Sequence, residues 1–195
     1  ADNSFTRNII TAFGDNTSGF LVASNYTNTF RANMINTTGD GGHAFDLGLQ
    51  PDGEDGPGFS TNSVYEGNII NTTGVSAHGF NILSPAHNNT IINNNFTIND
   101  ASSYAIADDN AATGSLQNYL VYNNSLGEIR WVDNGSQSFL RNLDLNGSIN
   151  IPNALNFGNN SAALNHSAFS IGAVNSTANI TIKEIYFAKT TQIFR

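Results

Sequence analysis

Short apolar runs alternate with turns rich in Asn, Gly, Asp and Thr along most of this chain. Runs of three to five residues between such turns predict strands. A 3.6-residue apolar period is absent, because Ser and Asn interrupt every candidate helical stripe. The stretch HNNTIINNNFTINDASSYAIA, residues 87–107, shows the unit. Thr90-Ile91-Ile92 leads to an asparagine corner at Asn93-Asn94-Asn95, then Phe96-Thr97-Ile98, a polar turn, and Tyr104-Ala105-Ile106. Three short strands with tight corners make one turn of a wound ribbon, which needs repeating neighbours to bury its apolar side.

The neighbours repeat. Asn8, Asn33 and Asn68 are each followed by two apolar residues and a polar turn, and twelve positions after each comes Phe20, Phe45 or Phe80. The aromatic series continues as Tyr104, Trp131 and Phe157, at successive intervals of 25, 35, 24, 27 and 26 residues. The 35-residue interval contains a loop insertion at 49–58, LQPDGEDGPG, and removing it restores 25. A period near 25 without helical patterning predicts an all-β chain, a single-stranded parallel β-helix (solenoid) of about six to seven coils in one domain, 1–195. Like side chains then stack at about 4.8 Å, with Gly, Asn and Asp at corners that tolerate a left-handed backbone. Asn93 and Asn94 are expected to join an internal amide ladder, and Asn88 and Asn95 to point outward. Later coils at Leu120-Val121-Tyr122, Ile129–Val132 and Phe139–Ile151 are less regular. Residues 178–195 form a longer terminal strand segment, expected to be a last coil, a cap or an assembly element.

Charge narrows the partners. The chain carries 7 Lys and Arg against 15 Asp and Glu, net −8, and charged residues are only 11%. With no basic patch to neutralise phosphates, nucleic acid is not expected as a partner. No apolar run approaches a membrane span. Cysteine is absent, which removes disulfides and thiolate metal sites. Solubility falls to neutral polar groups, chiefly 32 Asn, 18 Ser and 17 Thr.

Asparagine also carries a modification signal. Asn-x-Ser/Thr occurs at Asn16, Asn25, Asn36, Asn71, Asn88, Asn95, Asn123, Asn134, Asn146, Asn159, Asn165, Asn175 and Asn179, 13 sites in all. Chance placement gives about six, so N-linked glycans on an extracellular or cell-surface protein are expected. The competing reading is that Asn and Thr both suit β-helix corners. A chain that begins Ala1-Asp2-Asn3 fits a mature form after leader removal, or a fragment of a longer precursor.

Few residues suggest reaction chemistry. Asp40 and Asp46 flank His43, and His43 and His78 lie ten residues after Asn33 and Asn68, so their imidazoles should stack. Such a pair with Asp46 is a candidate transition-metal site, although Ser102, expected next in the stack, adds no ligand. The acidic loop with Asp52, Glu54 and Asp55 is a candidate calcium loop without the ligand spacing of an EF-hand. Asp108-Asp109 has the character of a solvated corner. Tyr26, Tyr65, Tyr119, Tyr122 and Trp131 are the aromatics available to line a glycan groove.

Rows such as NNTIINNNFTINDASSYAIA and NSVYEGNIINTTGVSAHGFNIL resemble the right-handed parallel β-helix repeats of the pectate-lyase-like superfamily. They are most similar to Asn-rich, periplasmic-copper-protein-type repeats of archaeal surface proteins, over about residues 4–157. The resemblance implies a right-handed coil and leaves function open among lyases, hydrolases, adhesins and coat proteins. The expected function is a non-enzymatic structural glycoprotein that self-assembles into a sheath, surface layer or filament. Its partners would be copies of itself, joined through stacked ends or edges. The alternative is a polysaccharide-active enzyme or carbohydrate-binding module.

Overall fold

A computed structural model describes residues 2–23, 26–48, 60–83, 86–108, 118–132, 147–150, 155–158, 161–164 and 178–183. The described residues are all strand and turn. Twelve strands come first: β1 (Asn3–Thr6), β2 (Ile9–Ala12), β3 (Phe20–Val22), β4 (Asn28–Arg31), β5 (Met34–Thr37), β6 (Phe45–Leu47), β7 (Val64–Glu66), β8 (Ile69–Thr72), β9 (Phe80–Ile82), β10 (Thr90–Ile92), β11 (Asn95–Ile98) and β12 (Ile106–Asp108). They visit three sheets in strict rotation. β1, β4, β7 and β10 pair in parallel in the first sheet. β2, β5, β8 and β11 do so in the second. β3, β6, β9 and β12 do so in the third. Each pass through the three sheets is one round.

The corners explain why strands this short stop where they do. Arg7, Ala32, Gly67 and Asn93 hold the same corner of the four rounds, with φ of 57°, 54°, 61° and 50°. A left-handed residue turns the chain sharply and withdraws the next residue from the ladder. That next residue is Asn8, Asn33, Asn68 or Asn94. The Oδ1 of Asn33 accepts both the backbone N–H and the Nδ2–H of Asn8, each at 2.9 Å. Asn68 receives the same pair from Asn33 at 2.9 Å, and Asn94 from Asn68 at 2.9 and 2.8 Å. The Nδ2 groups of Asn33, Asn68 and Asn94 also donate to the carbonyls of Phe5, Phe30 and Tyr65. Asn33, Asn68 and Asn94 are buried, and this shared bonding removes the cost of burying amides. Asn94 therefore joins the ladder as expected. Asn93 does not: its positive φ makes it the corner itself, and its amide pairs with Asn123.

A second ladder lies five residues earlier in each round. Asn3 donates to Asn28, the Asn28 N–H donates to the Ser63 hydroxyl, the Ser63 N–H to Asn89 Oδ1, and the Asn89 N–H to Asn118 Oδ1.

Two columns of rings fill the interior. Phe5, Phe30 and Tyr65 stack at 4.9 and 5.0 Å in the first sheet. Phe20, Phe45 and Phe80 stack at 5.2 and 4.7 Å in the third. The columns interlock edge to face, as between Phe30 and Phe45 at 5.4 Å and Tyr65 and Phe80 at 5.1 Å. Ile35, Ile70, Phe96, Leu47, Ile82, Ile91 and Ile106 complete a continuous core. The register corrects one expectation: Phe80 pairs with Ile106, so Ile106, and not Tyr104, continues the Phe column.

Among the described residues the parallel rotation holds for four rounds, where the sequence pattern predicts six or seven. The two later runs around Val121 and Trp131 are adjacent antiparallel strands, β13 (Tyr119–Asn124) and β14 (Gly127–Val132). β13 continues the first sheet in parallel from β10, and Leu120 and Trp131 enter the core from this hairpin. β15 (Gly147–Asn150) adds antiparallel to β11. β16 (Leu155–Gly158) and β17 (Ser161–Leu164) pair with each other. β18 (Ala178–Ile182) pairs antiparallel with β14, so the described part of the terminal segment is bound within its own chain. The insertion at 49–58 lies outside the described residues.

Candidate functional site

Three places combine exposure with chemistry: the first round, the outward asparagines and the corner that holds His43.

Among the described residues the first round is the end of all three sheets, since β1, β2 and β3 are each a terminal strand. An edge strand presents unpaired N–H and C=O groups to a further strand. Its outward side chains are also unlike those of later rounds. Ile9 is 77% exposed, Phe13 72% and Leu21 51%, and the inward ring of Phe5 is still 38% exposed. Leu21 is in register with Asp46, Asn81 and Ala107. Phe13 follows β2 where Thr38, Thr73 and Asn99 follow β5, β8 and β11. Ile9 heads a row on the outer face of the second sheet, followed by Met34, Ile69 and Asn95. Large apolar groups thus occupy positions that inner rounds mostly give to Thr, Asn and Asp.

The structure sorts the sequons. Asn16 and Asn88 are exposed at turns with φ of 55° and 57°, and Asn179 is exposed on β18. Asn36, Asn71, Asn95 and Asn123 are half-buried within strands. Asn36 and Asn71 are in-register neighbours on the outer face of the second sheet. Asn71 Oδ1 accepts from Asn99, and Asn123 Oδ1 accepts from Asn93. Asn25, Asn134, Asn146, Asn159, Asn165 and Asn175 lie outside the described residues, as do Asp52, Glu54 and Asp55 of the candidate calcium loop.

His43 and His78 stack as expected, 5.0 Å apart and 5° from parallel. Tyr104 continues the stack at 5.3 Å, in the place expected for Ser102. Ser102 lies two residues earlier, where its hydroxyl accepts the Ser76 N–H. The backbone N–H of His78 donates to His43 Nδ1 and that of Tyr104 to His78 Nδ1, both at 3.0 Å. Each Nδ1 is therefore an unprotonated acceptor, which puts the ring proton on Nε2. A metal would need one of these two nitrogens free, so the pair is not arranged as a metal site. Among the described residues no group of three or more His, Asp or Glu side chains could hold a metal ion. Burial lowers both imidazoles to about 4, and for His78 the neighbouring His43 adds to the effect. Asp46, half-buried, is raised by burial while its bond from Asn81 Nδ2 opposes the rise.

Of the groove candidates, Tyr65, Tyr122 and Trp131 are core residues. The Tyr65 hydroxyl is bound to Ser60 at 2.8 Å; burial pushes the phenol pKa well above its ordinary value, and hydrogen bonds to Ser60 and Ser63 oppose the rise. Tyr119 carries the Arg130 guanidinium 5.3 Å from its ring centre, and Tyr26 is exposed. No helix among the described residues is long and apolar enough to cross a membrane. No protein-family model, curated protein or solved structure matches this chain.

Proposed function

We propose that this chain is a right-handed parallel β-helix acting as a non-enzymatic structural glycoprotein of the cell surface, assembled from copies of itself into a sheath, surface layer or filament. The observation that carries the reading is the first round, with three open strand edges ringed by exposed Ile9, Phe13 and Leu21. Strand edges and apolar flanks together favour a body that continues the sheets and covers the flank. A second copy of the same chain has both. Right-handed winding is what parallel strands joined by crossovers adopt in nearly every case. The excess of sequons, with Asn16, Asn88 and Asn179 exposed, supports glycosylation and an extracellular location. Burial of Tyr65, Tyr122 and Trp131 weakens the alternative of a glycan groove.

Sedimentation velocity of the purified chain across a concentration series tests the reading. Species larger than the monomer, growing with concentration, are expected. A single monomeric boundary at every concentration contradicts it.

A further inference from the structure

We propose that the corner formed by His43, His78 and Tyr104 is an acid-sensitive lock that holds the second, third and fourth rounds together at neutral pH. At this corner side-chain nitrogens serve as backbone acceptors. His43 Nδ1 binds the His78 N–H and His78 Nδ1 binds the Tyr104 N–H, each at 3.0 Å. The Asn ladder offers the same service at its own corner, but an amide does not titrate near neutrality. An imidazole does. A proton on Nδ1 turns the acceptor into a donor that faces an N–H, so the bond is lost and two donors are opposed. Protonation of both rings also places two cations in a stack of 5.0 Å separation. The two bonds lie on consecutive rounds, so both are lost along one line of the fold.

Among the described residues neither ring is ion-paired with a carboxylate. Below His43 the first round contributes Gly19, whose N–H donates to the His43 carbonyl. Above His78 lies the Tyr104 ring. The carboxylates of the same segments are engaged elsewhere: Asp40 accepts the Val75 N–H, Asp46 accepts from Asn81, and Asp100 accepts from Ser102. Folding lowers both histidines to about 4 from 6.5. The sign follows from linkage, since the unfolded chain binds more protons than the folded one between these values. The stabilisation is complete above about pH 6.5, falls as pH drops, and is gone below about pH 4.

Nuclear magnetic resonance of the intact chain tests this. At pH 7 the ring nitrogen shifts should show Nδ1 bare and Nε2 protonated, and both rings should titrate well below 6.5. Amide exchange protection at His78 and Tyr104, corrected for intrinsic rates, should fall at least about tenfold between pH 6 and pH 3. Protection at Asn33 and Asn68 should change less than about twofold. The double variant His43→Asn, His78→Asn keeps a nearby acceptor without the titration and should lose the pH step. Ordinary titration near 6.5, protection retained at pH 3, or simultaneous loss at every corner overturns the proposal. Should the double variant not fold, the titration and exchange of the unaltered chain still decide it.

Discussion

Phe5, Ile10 and Phe20 of the first round hold the same registers as Tyr65, Ile70 and Phe80 of the third. The third-round side chains are fully buried, whereas none of the first-round ones is. The same register thus gives different burial, because a round in a stacked array draws its burial from neighbours on both sides. The third round is covered by the second and fourth. Among the described residues the first is covered by the second alone. Its outward positions add Phe13 and Leu21 to the apolar surface where inner rounds are mostly polar, and Ile9 heads an exposed apolar row with Met34 and Ile69. The first round thus has the register of an interior round with less of its apolar surface buried.

The sharpest break of this comparison is truncation of matching rings. Phe80→Ala should cost about 4 kcal/mol, because Phe80 stacks on Phe45 and meets Tyr65 and Phe96 edge to face. Phe20→Ala should cost less than about half as much in the isolated chain. Denaturant unfolding of both variants measures the difference, and equal losses would refute the contrast.

The amide ladder gives the next contrast. Asn68→Ala removes an acceptor for two donors of Asn33 and a donor to the Phe30 carbonyl, all buried. A loss of about 3 kcal/mol is expected. Asn8→Ala leaves the Asn8 backbone N–H on Asn33 Oδ1 and removes only the exposed Nδ2 donor, so about 1 kcal/mol is expected. Unfolding midpoints that match between the two would show that ladder position does not matter.

Glycan occupancy is the smallest effect and extends the comparison to the surface. Glycopeptide mapping should find Asn16, Asn88 and Asn179 more fully occupied than Asn36, Asn71 and Asn123. At Asn71 and Asn123 the side-chain oxygen accepts from Asn99 and Asn93, which fixes the orientation of the amide whose nitrogen would carry the sugar. Even occupancy over all six would count against sorting by the fold.

Much of this architecture is legible in constant offsets. The twelve-residue step from Asn8, Asn33 and Asn68 to Phe20, Phe45 and Phe80 marks two columns at once. Applied to Asn94 the same step gives Ile106, and a step of ten from Asn33, Asn68 and Asn94 gives His43, His78 and Tyr104. Following ring type in place of the offset puts Tyr104 in the wrong column. The second ring column is also regular, three residues before each ladder Asn, at Phe5, Phe30 and Tyr65. It is easily missed because Ile91 follows and the chemistry changes. Left-handed Arg7 and Ala32 carry no local signal, since neither residue favours that conformation and the ladder beside it compensates. Beyond residue 118 the offsets lapse, so the sequence pattern does not distinguish the antiparallel β13–β14 hairpin from two more parallel rounds. The histidine stack is visible in the sequence, but its use of Nδ1 as a backbone acceptor depends on coordinates.

The most direct test of the open first round gives its outward positions residues that inner rounds use. Ile9→Asn, Phe13→Thr and Leu21→Asp, combined in one chain, leave the core columns untouched. Sedimentation velocity should show the unaltered chain forming larger species with rising concentration, and the triple variant remaining monomeric with an unchanged melting curve. Monomers in both, or undiminished assembly of the variant, would contradict the first round as the seat of self-association.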